Sequence, residues 1–128
     1  MASKPATPRL LVVDDGEDNR IILRRRFTRL GYEVMEAEDG AKALALMATY
    51  PFDLVLLDIM MPGIDGLEVL RRVRETKSQT ELPIIMVTGK SASEDVVEAL
   101  NLGANDYVTK PVDTDELLAC MERWLTAS

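Results

Sequence analysis

Leu54-Val55-Leu56-Leu57 runs without a break into an acid, Asp58. Such an apolar run is too short for a helix and too continuous for a strand with one wet face. It reads as a strand buried on both sides, the kind found in parallel sheets sheathed by helices. The residues after Asp58 fit that reading. Pro62-Gly63 makes a turn in which proline presets the first central position and glycine supplies a positive φ at the second. Asp65, with Glu68 three residues on, forms a capping box for the next helix. Open α/β folds place chemistry in this way, with a strand delivering a side chain above the sheet edge. Taken alone, however, an acid at a strand end is commonplace.

The same unit recurs along the chain. Arg9–Val13 is an apolar strand followed by Asp14-Asp15, and Glu17–Leu30 is helical with Leu23, Phe27 and Leu30 facing inward. Gly31 suits the left-handed position past that helix. Arg24-Arg25-Arg26 reads as its solvated face. Tyr32–Ala37 is a more polar strand nearer an edge, and Asp39 caps a helix to about Tyr50 with Ala43, Leu44 and Met47 inward. Leu67 to about Thr76 is a third helix with Leu67, Leu70 and Val73 on one side. Pro83–Val87 is a fourth strand that runs into Thr88-Gly89-Lys90. Ser91 and Glu94 suggest a capping box for a helix that Gly103 stops. Tyr107–Thr109 is a short fifth strand, Lys110-Pro111 leaves it, and Asp113 with Glu116 opens a last helix to about Leu125. Five strand–helix repeats with short links predict a doubly wound parallel sheet in three layers, α/β/α.

The 128 residues suit one domain, expected over residues 9–126 after a disordered tail over residues 1–8. No apolar run approaches the roughly 18 residues of a membrane span, and Met1–Pro8 lacks the apolar core of a signal peptide. A net charge of −7 argues against direct nucleic-acid binding. With no histidine at all, serine–histidine and cysteine–histidine hydrolysis and histidine-ligated metals are excluded. The one cysteine, Cys120, allows no internal disulfide or zinc cluster and reads as a small core residue in a reducing, cytoplasmic setting. Any metal must be a hard cation held by oxygen.

The residues that follow the strands define a constellation. Asp14 and Asp15 follow the first strand, Asp58 the third, Thr88 the fourth and Lys110 the fifth. Parallel strands raise all of them on one edge of the sheet. Two carboxylates about 4 Å apart repel by about 4 kcal/mol at an effective dielectric near 20, so such a rim needs cations. Lys110 supplies one charge and Mg²⁺ would supply the rest, keeping several waters and completing its shell with phosphate oxygens. That chemistry suits phosphoryl transfer. Asp58 is the candidate nucleophile, since carboxylates form acyl-phosphates. Asp14 and Asp15 would hold the metal, Lys110 and Thr88 would each contact a phosphoryl oxygen, and Gly89 would leave space beside it.

Together V-V-D-D, L-L-D-I-M-M-P-G-I-D-G, V-T-G and G-A-N-D-Y-V-T-K-P resemble the receiver domain of two-component response regulators, over Arg9 to Leu125. The resemblance implies a flavodoxin-like sheet of order 2-1-3-4-5. It implies that Asp58 accepts phosphate from a histidine kinase or histidine phosphotransfer protein, and that the domain catalyses only its own phosphoryl transfer and slow self-dephosphorylation. Asp15, Asp58 and the main-chain carbonyl of Met60 would ligate Mg²⁺, with Asp14 acting mainly through water. Thr88 would move to the phosphoryl group while Tyr107 turns inward, and Lys110–Pro111 would be cis. The output surface would lie around Val96, Val97, Tyr107 and Leu118, acting on an output domain or target protein; a homodimer on activation stays open.

Two departures matter. Gly16 stands where many receivers carry another acidic or polar residue, which removes no metal ligand. Met60 stands where some relatives place a polar side chain that helps water attack, and a thioether is a poor hydrogen-bond partner. Slow self-dephosphorylation is therefore expected, with Lys90 as a modifier. A Mg²⁺-dependent phosphatase that passes through an aspartyl-phosphate is the competing reading, although such enzymes commonly need a second acid where Met60 stands. A nucleotide- or flavin-binding module is a third. It lacks a glycine-rich phosphate loop after the first strand, where D-D-G-E-D stands instead.

Overall fold

The computed structural model describes residues 7–89 and 93–125. Strands and helices alternate throughout: β1 (Arg9–Val13), α1 (Glu17–Arg29), β2 (Glu33–Ala37), α2 (Gly40–Thr49), β3 (Leu54–Asp58), α3 (Gly66–Arg74), β4 (Ile84–Thr88), α4 (Ser93–Leu102), β5 (Asp106–Thr109) and α5 (Thr114–Leu125). All neighbouring strands are parallel, in the order β2-β1-β3-β4-β5, as the resemblance implied. β3 lies at the centre and is buried along its whole length.

Because side chains alternate along a strand, each central strand feeds two cores. Leu11, Val13, Val55, Leu57, Ile84 and Met86 pack on one face with α2, α3 and α4. Leu10, Val12, Leu54, Leu56, Ile85 and Val87 pack on the other with Leu23 and Phe27 of α1 and Leu117, Cys120 and Met121 of α5. Burial on both faces explains why the strands carry unbroken apolar runs rather than alternation.

The punctuation behaves as expected at most points. Asp39 accepts from the Lys42 amide at 2.8 Å, and Asp113 from the Asp115 and Glu116 amides at 2.9 and 3.2 Å. Gly31, Gly63 and Gly103 take positive φ of 98°, 76° and 108° where helices end or the loop after β3 turns. At Asp65 only half of the capping box forms. Asp65 accepts from the Glu68 amide, but the Glu68 carboxylate turns along the helix to Arg71 and Arg72. Two cations one turn away compete for it, and they hold its carboxyl down at about 2.

Two expectations need adjustment. Leu30 is half exposed rather than inward, because it is the C-cap of α1 and the chain turns away at Gly31. The buried place beside Phe27 goes to Tyr32, whose ring meets it edge-on at 5.8 Å. The expected tail over residues 1–8 lies outside the described residues up to residue 6, but Pro8 is buried and its carbonyl accepts the Glu33 amide at 2.9 Å. The expected capping box at Ser91 lies outside the described residues, as does Lys90.

At the sheet edge remote from the acids, Arg74 ties three segments together. Its guanidinium donates to the carbonyls of Lys77, Ser78, Leu82 and Gly103 and to the Asn105 side chain at 2.8–3.3 Å. Asn105 in turn accepts from the Ile84 amide. Burial lowers the guanidinium from its ordinary value. The end of α3, the start of β4 and the entry into β5 are thereby held in register.

Candidate functional site

The site is built where β1, β3, β4 and β5 end. Val13 is the partner of Leu57 across β1–β3, and Asp58 is the partner of Val87 across β3–β4. Asp14 and Asp58 therefore leave the sheet at the same height, and Thr88 stands one residue further on the neighbouring strand. Asp14, Asp15 and Asp58 each offer a carboxylate oxygen, and these atoms lie within 4.8 Å of one another. Asp14 and Asp58 are buried, while Asp15 is exposed.

Lys110, the first residue after β5, closes the rim from the other side. Its ammonium lies 2.9 Å from Asp58 Oδ2 and 3.1 Å from Asp14 Oδ2. The Lys110–Pro111 peptide is cis, as the resemblance implied, and the Lys110 amide donates to the Thr88 carbonyl at 2.7 Å. Asp58 Oδ1 accepts from the Met60 amide at 3.3 Å, and Asp14 Oδ1 from the Gly16 amide at 2.7 Å.

Burial raises the Asp58 carboxyl above its ordinary value, and the charge of Asp14 adds to the rise; the hydrogen bond and charge of Lys110 oppose it. At Lys110 burial acts to lower the ammonium. The hydrogen bonds to Asp58 and Asp14 outweigh it and hold the group above its ordinary value. One ammonium thus serves two buried acids, which leaves the rim short of positive charge. An all-oxygen donor set of three carboxylates is the chemistry a hard divalent cation takes. The donor set fits magnesium.

Gly66 sets how closely α3 approaches this loop. A Cβ there would collide with the Asp58 carbonyl oxygen and fall 2.8 Å from the Ile59 Cα. Thr88 is buried, and its hydroxyl has no hydrogen-bond partner among the described residues. Tyr107 is 41% exposed on the edge strand, and a Cβ at Gly89 would meet nothing within 4 Å. The Met60 side chain is 69% exposed beside the rim. A cavity of about 210 Å³ opens next to Asp14 and Lys110, walled by Ile22, Leu23, Val87 and Pro111. Every acid, the hydroxyl and the lysine expected at the strand ends thus stand at one edge. Arg20 was missed by the sequence reading: it donates to the Asp14 carbonyl at 2.6 Å. No motif signals an arginine aimed at a main-chain carbonyl.

A parallel α/β domain with an acid triad and a lysine at the strand ends defines a receiver-type class. The chain belongs to the response regulator receiver domain family, whose family model matches residues 10–122. It is 46% identical over 110 residues to the uncharacterized transcriptional regulatory protein YkoG of Bacillus subtilis (strain 168), covering 86% of this chain and 47% of that protein. It resembles the crystal structure of a putative response regulator from Chloroflexus aurantiacus, with 32% identity, a TM-score of 0.88, and 94% and 99% of the two chains covered. The chemotaxis protein CheY4 of Vibrio cholerae is also similar, with 32% identity, a TM-score of 0.86, and 92% and 98% covered. The chain spans about half the length of the curated relatives it matches. It is therefore a response regulator receiver domain of two-component signalling.

Proposed function

We propose that this domain, over residues 9–126, is a phosphorylation-controlled switch in which Asp58 takes a phosphoryl group from a histidine of a kinase or phosphotransfer protein. The observation that carries the reading is the Lys110 ammonium bridging the buried Asp58 and Asp14 carboxylates at 2.9 and 3.1 Å, inside an acid triad otherwise short of cations. With no histidine among the 128 residues, the donor comes from elsewhere.

Asp15, Asp58 and the Met60 main-chain carbonyl would hold Mg²⁺, with Asp14 mainly through water. When bound, the ion neutralises charge on the phosphoryl oxygens and orients them for in-line transfer. The chain's own groups do the rest. An Asp58 carboxylate oxygen attacks phosphorus, forming the O–P bond as the P–N bond to the donor imidazole breaks, and the released ring nitrogen keeps the electron pair. Lys110 turns from the carboxylates toward a phosphoryl oxygen. Thr88, whose buried hydroxyl lacks a partner among the described residues, offers its O–H to another. The apolar cavity wall of Ile22, Leu23 and Val87 supports approach of the donor ring from the α1 side.

Movement of Thr88 would draw Tyr107 inward and alter the surface of α4, β5 and α5. Val97 and Tyr107 are exposed there, with Val96 and Leu118 half-buried, and Leu100 adds a further exposed apolar side chain. This is a shift between states that exist before phosphorylation. The half-length match to transcriptional regulatory proteins supports control of an output domain or a target protein, with a homodimer as one route. The action proposed is cytoplasmic. No helix of the described residues is long and apolar enough to cross a membrane.

Incubation with acetyl phosphate and Mg²⁺ tests the reading. One acid-labile phosphoryl group per chain, absent from Asp58→Asn, is expected. Rapid multiple turnover would favour the phosphatase reading, which the exposed Met60 in place of an acid disfavours. Tight nucleotide binding without labelling would favour the third.

A further inference from the structure

Asp14 is gripped by its main chain as well as by its carboxylate. Its amide donates to the Ala37 carbonyl of β2 at 3.1 Å, and its carbonyl accepts from Arg20 Nη1 at 2.6 Å. Arg20 is itself held. Its Nε lies 3.3 Å from Glu36 Oε1, and Arg24 Nε lies 2.9 Å from the other oxygen of the same carboxylate. Only 12% of the Arg20 side chain is exposed. Glu36 precedes Ala37, so both grips on the Asp14 peptide trace back to adjacent residues of the edge strand β2. The last restraint is the Gly16 amide on Asp14 Oδ1, which leaves Oδ2 free to face Lys110.

We propose that Arg20 is a positioning residue for magnesium: clamped by Glu36, it fixes the Asp14 carbonyl and so sets how the Asp14 and Asp15 carboxylates face Asp58. This rests on the phosphoacceptor reading above. Arg20 does not touch the reacting atoms. Its forked guanidinium reaches a carbonyl and a carboxylate at once, which a lysine ammonium on its flexible stem cannot reproduce. Positioning and charge make opposite demands on the outcome. A cation near a metal site weakens metal binding by repulsion, so an arginine acting only through its charge should bind less Mg²⁺ than its neutral variant. An arginine that aims the ligands should bind more.

The test is a Mg²⁺ titration without any phosphodonor, read by calorimetry and by ¹H–¹⁵N shifts of the Asp14, Asp15 and Asp58 amides. It compares the parent with Arg20→Met, Arg20→Lys and Glu36→Gln. Arg20→Met and Arg20→Lys are each expected to bind Mg²⁺ about ten-fold more weakly, the usual scale for removing a group that orients metal ligands. Glu36→Gln, which keeps the guanidinium, should fall between them and the parent. At saturating Mg²⁺ the rate of labelling by acetyl phosphate should return to the parent's. Tighter binding in Arg20→Met, or parent affinity in Arg20→Lys, overturns the assignment while leaving the phosphoacceptor reading intact. Should Arg20→Met fail to fold, Arg20→Lys, which keeps the charge and loses the fork, carries the same comparison. A parent that takes up no Mg²⁺ sinks the phosphoacceptor reading and this assignment with it.

Discussion

Replacing Thr88 by valine should stabilise the resting protein while weakening its response to phosphorylation. Thr88 is 3% exposed, and its hydroxyl has no partner among the described residues. A buried hydroxyl without a hydrogen bond costs about 1–3 kcal/mol. Valine keeps the β-branch and the strand preference, and it puts a methyl where the hydroxyl stood. The expected gain is about 1–2 kcal/mol in Mg²⁺-free buffer. With a urea slope of about 2 kcal/mol/M, the midpoint should rise by about 0.5–1 M. Circular dichroism during urea unfolding reads the effect. A second series with Mg²⁺ and beryllium fluoride, a phosphoryl mimic, should shift the parent's midpoint upward more than the variant's, because only the parent's hydroxyl can contact the mimic. A midpoint that falls on mutation would mean that the hydroxyl is already bonded in the resting protein. An equal shift with beryllium fluoride would mean that Thr88 does not respond to the phosphoryl group. Either result would refute the reasoning.

Asp58→Asn should raise stability at neutral pH without Mg²⁺. The folded carboxyl lies above its ordinary value of 3.8, so the unfolded chain gives up this proton first as pH rises. The cost of the ionised group is absent below 3.8 and complete above the folded value. The gain should therefore fade in acid; urea midpoints across pH that show it growing there would contradict the sign. Gly66→Ala should lose about 3 kcal/mol and slow labelling, because the added Cβ meets main chain of Asp58 and Ile59 rather than a flexible side chain; an unchanged urea midpoint would show that α3 can move away freely. Met60→Asn should shed its phosphoryl group several-fold faster than the parent, followed by loss of label over time, since an amide can orient water where a thioether cannot.

The site was legible because a parallel sheet sends every strand's C-terminal end to one edge. That rule alone brought Asp14, Asp15, Asp58, Thr88 and Lys110 together, and the structure places them so. The strand order was not readable from periodicity, which records which faces are buried but not which strands are neighbours. It came from the family resemblance. Leu30 was misplaced because helical spacing extends past the point where Gly31 turns the chain. The Glu68 half of the capping box failed because local pattern does not weigh Arg71 and Arg72 as rivals for the carboxylate. Arg20 and Arg74 left no trace in the pattern. Most of their acceptors are main-chain carbonyls, and those of Arg74 include some brought near by the connection between α4 and β5. Cys120 was read correctly as a core residue. Burial first and the Asp106 carboxylate second push its thiol up to about 12, which keeps it inert.

Borohydride reduction bears most directly on the claim that Asp58 carries the phosphoryl group, because it converts an aspartyl-phosphate to homoserine at the modified position. After treatment with acetyl phosphate and Mg²⁺, peptide sequencing should find homoserine at position 58 alone, and none when Mg²⁺ is chelated. Homoserine at position 14 or 15, or a stable label with aspartate intact at 58, would contradict the account.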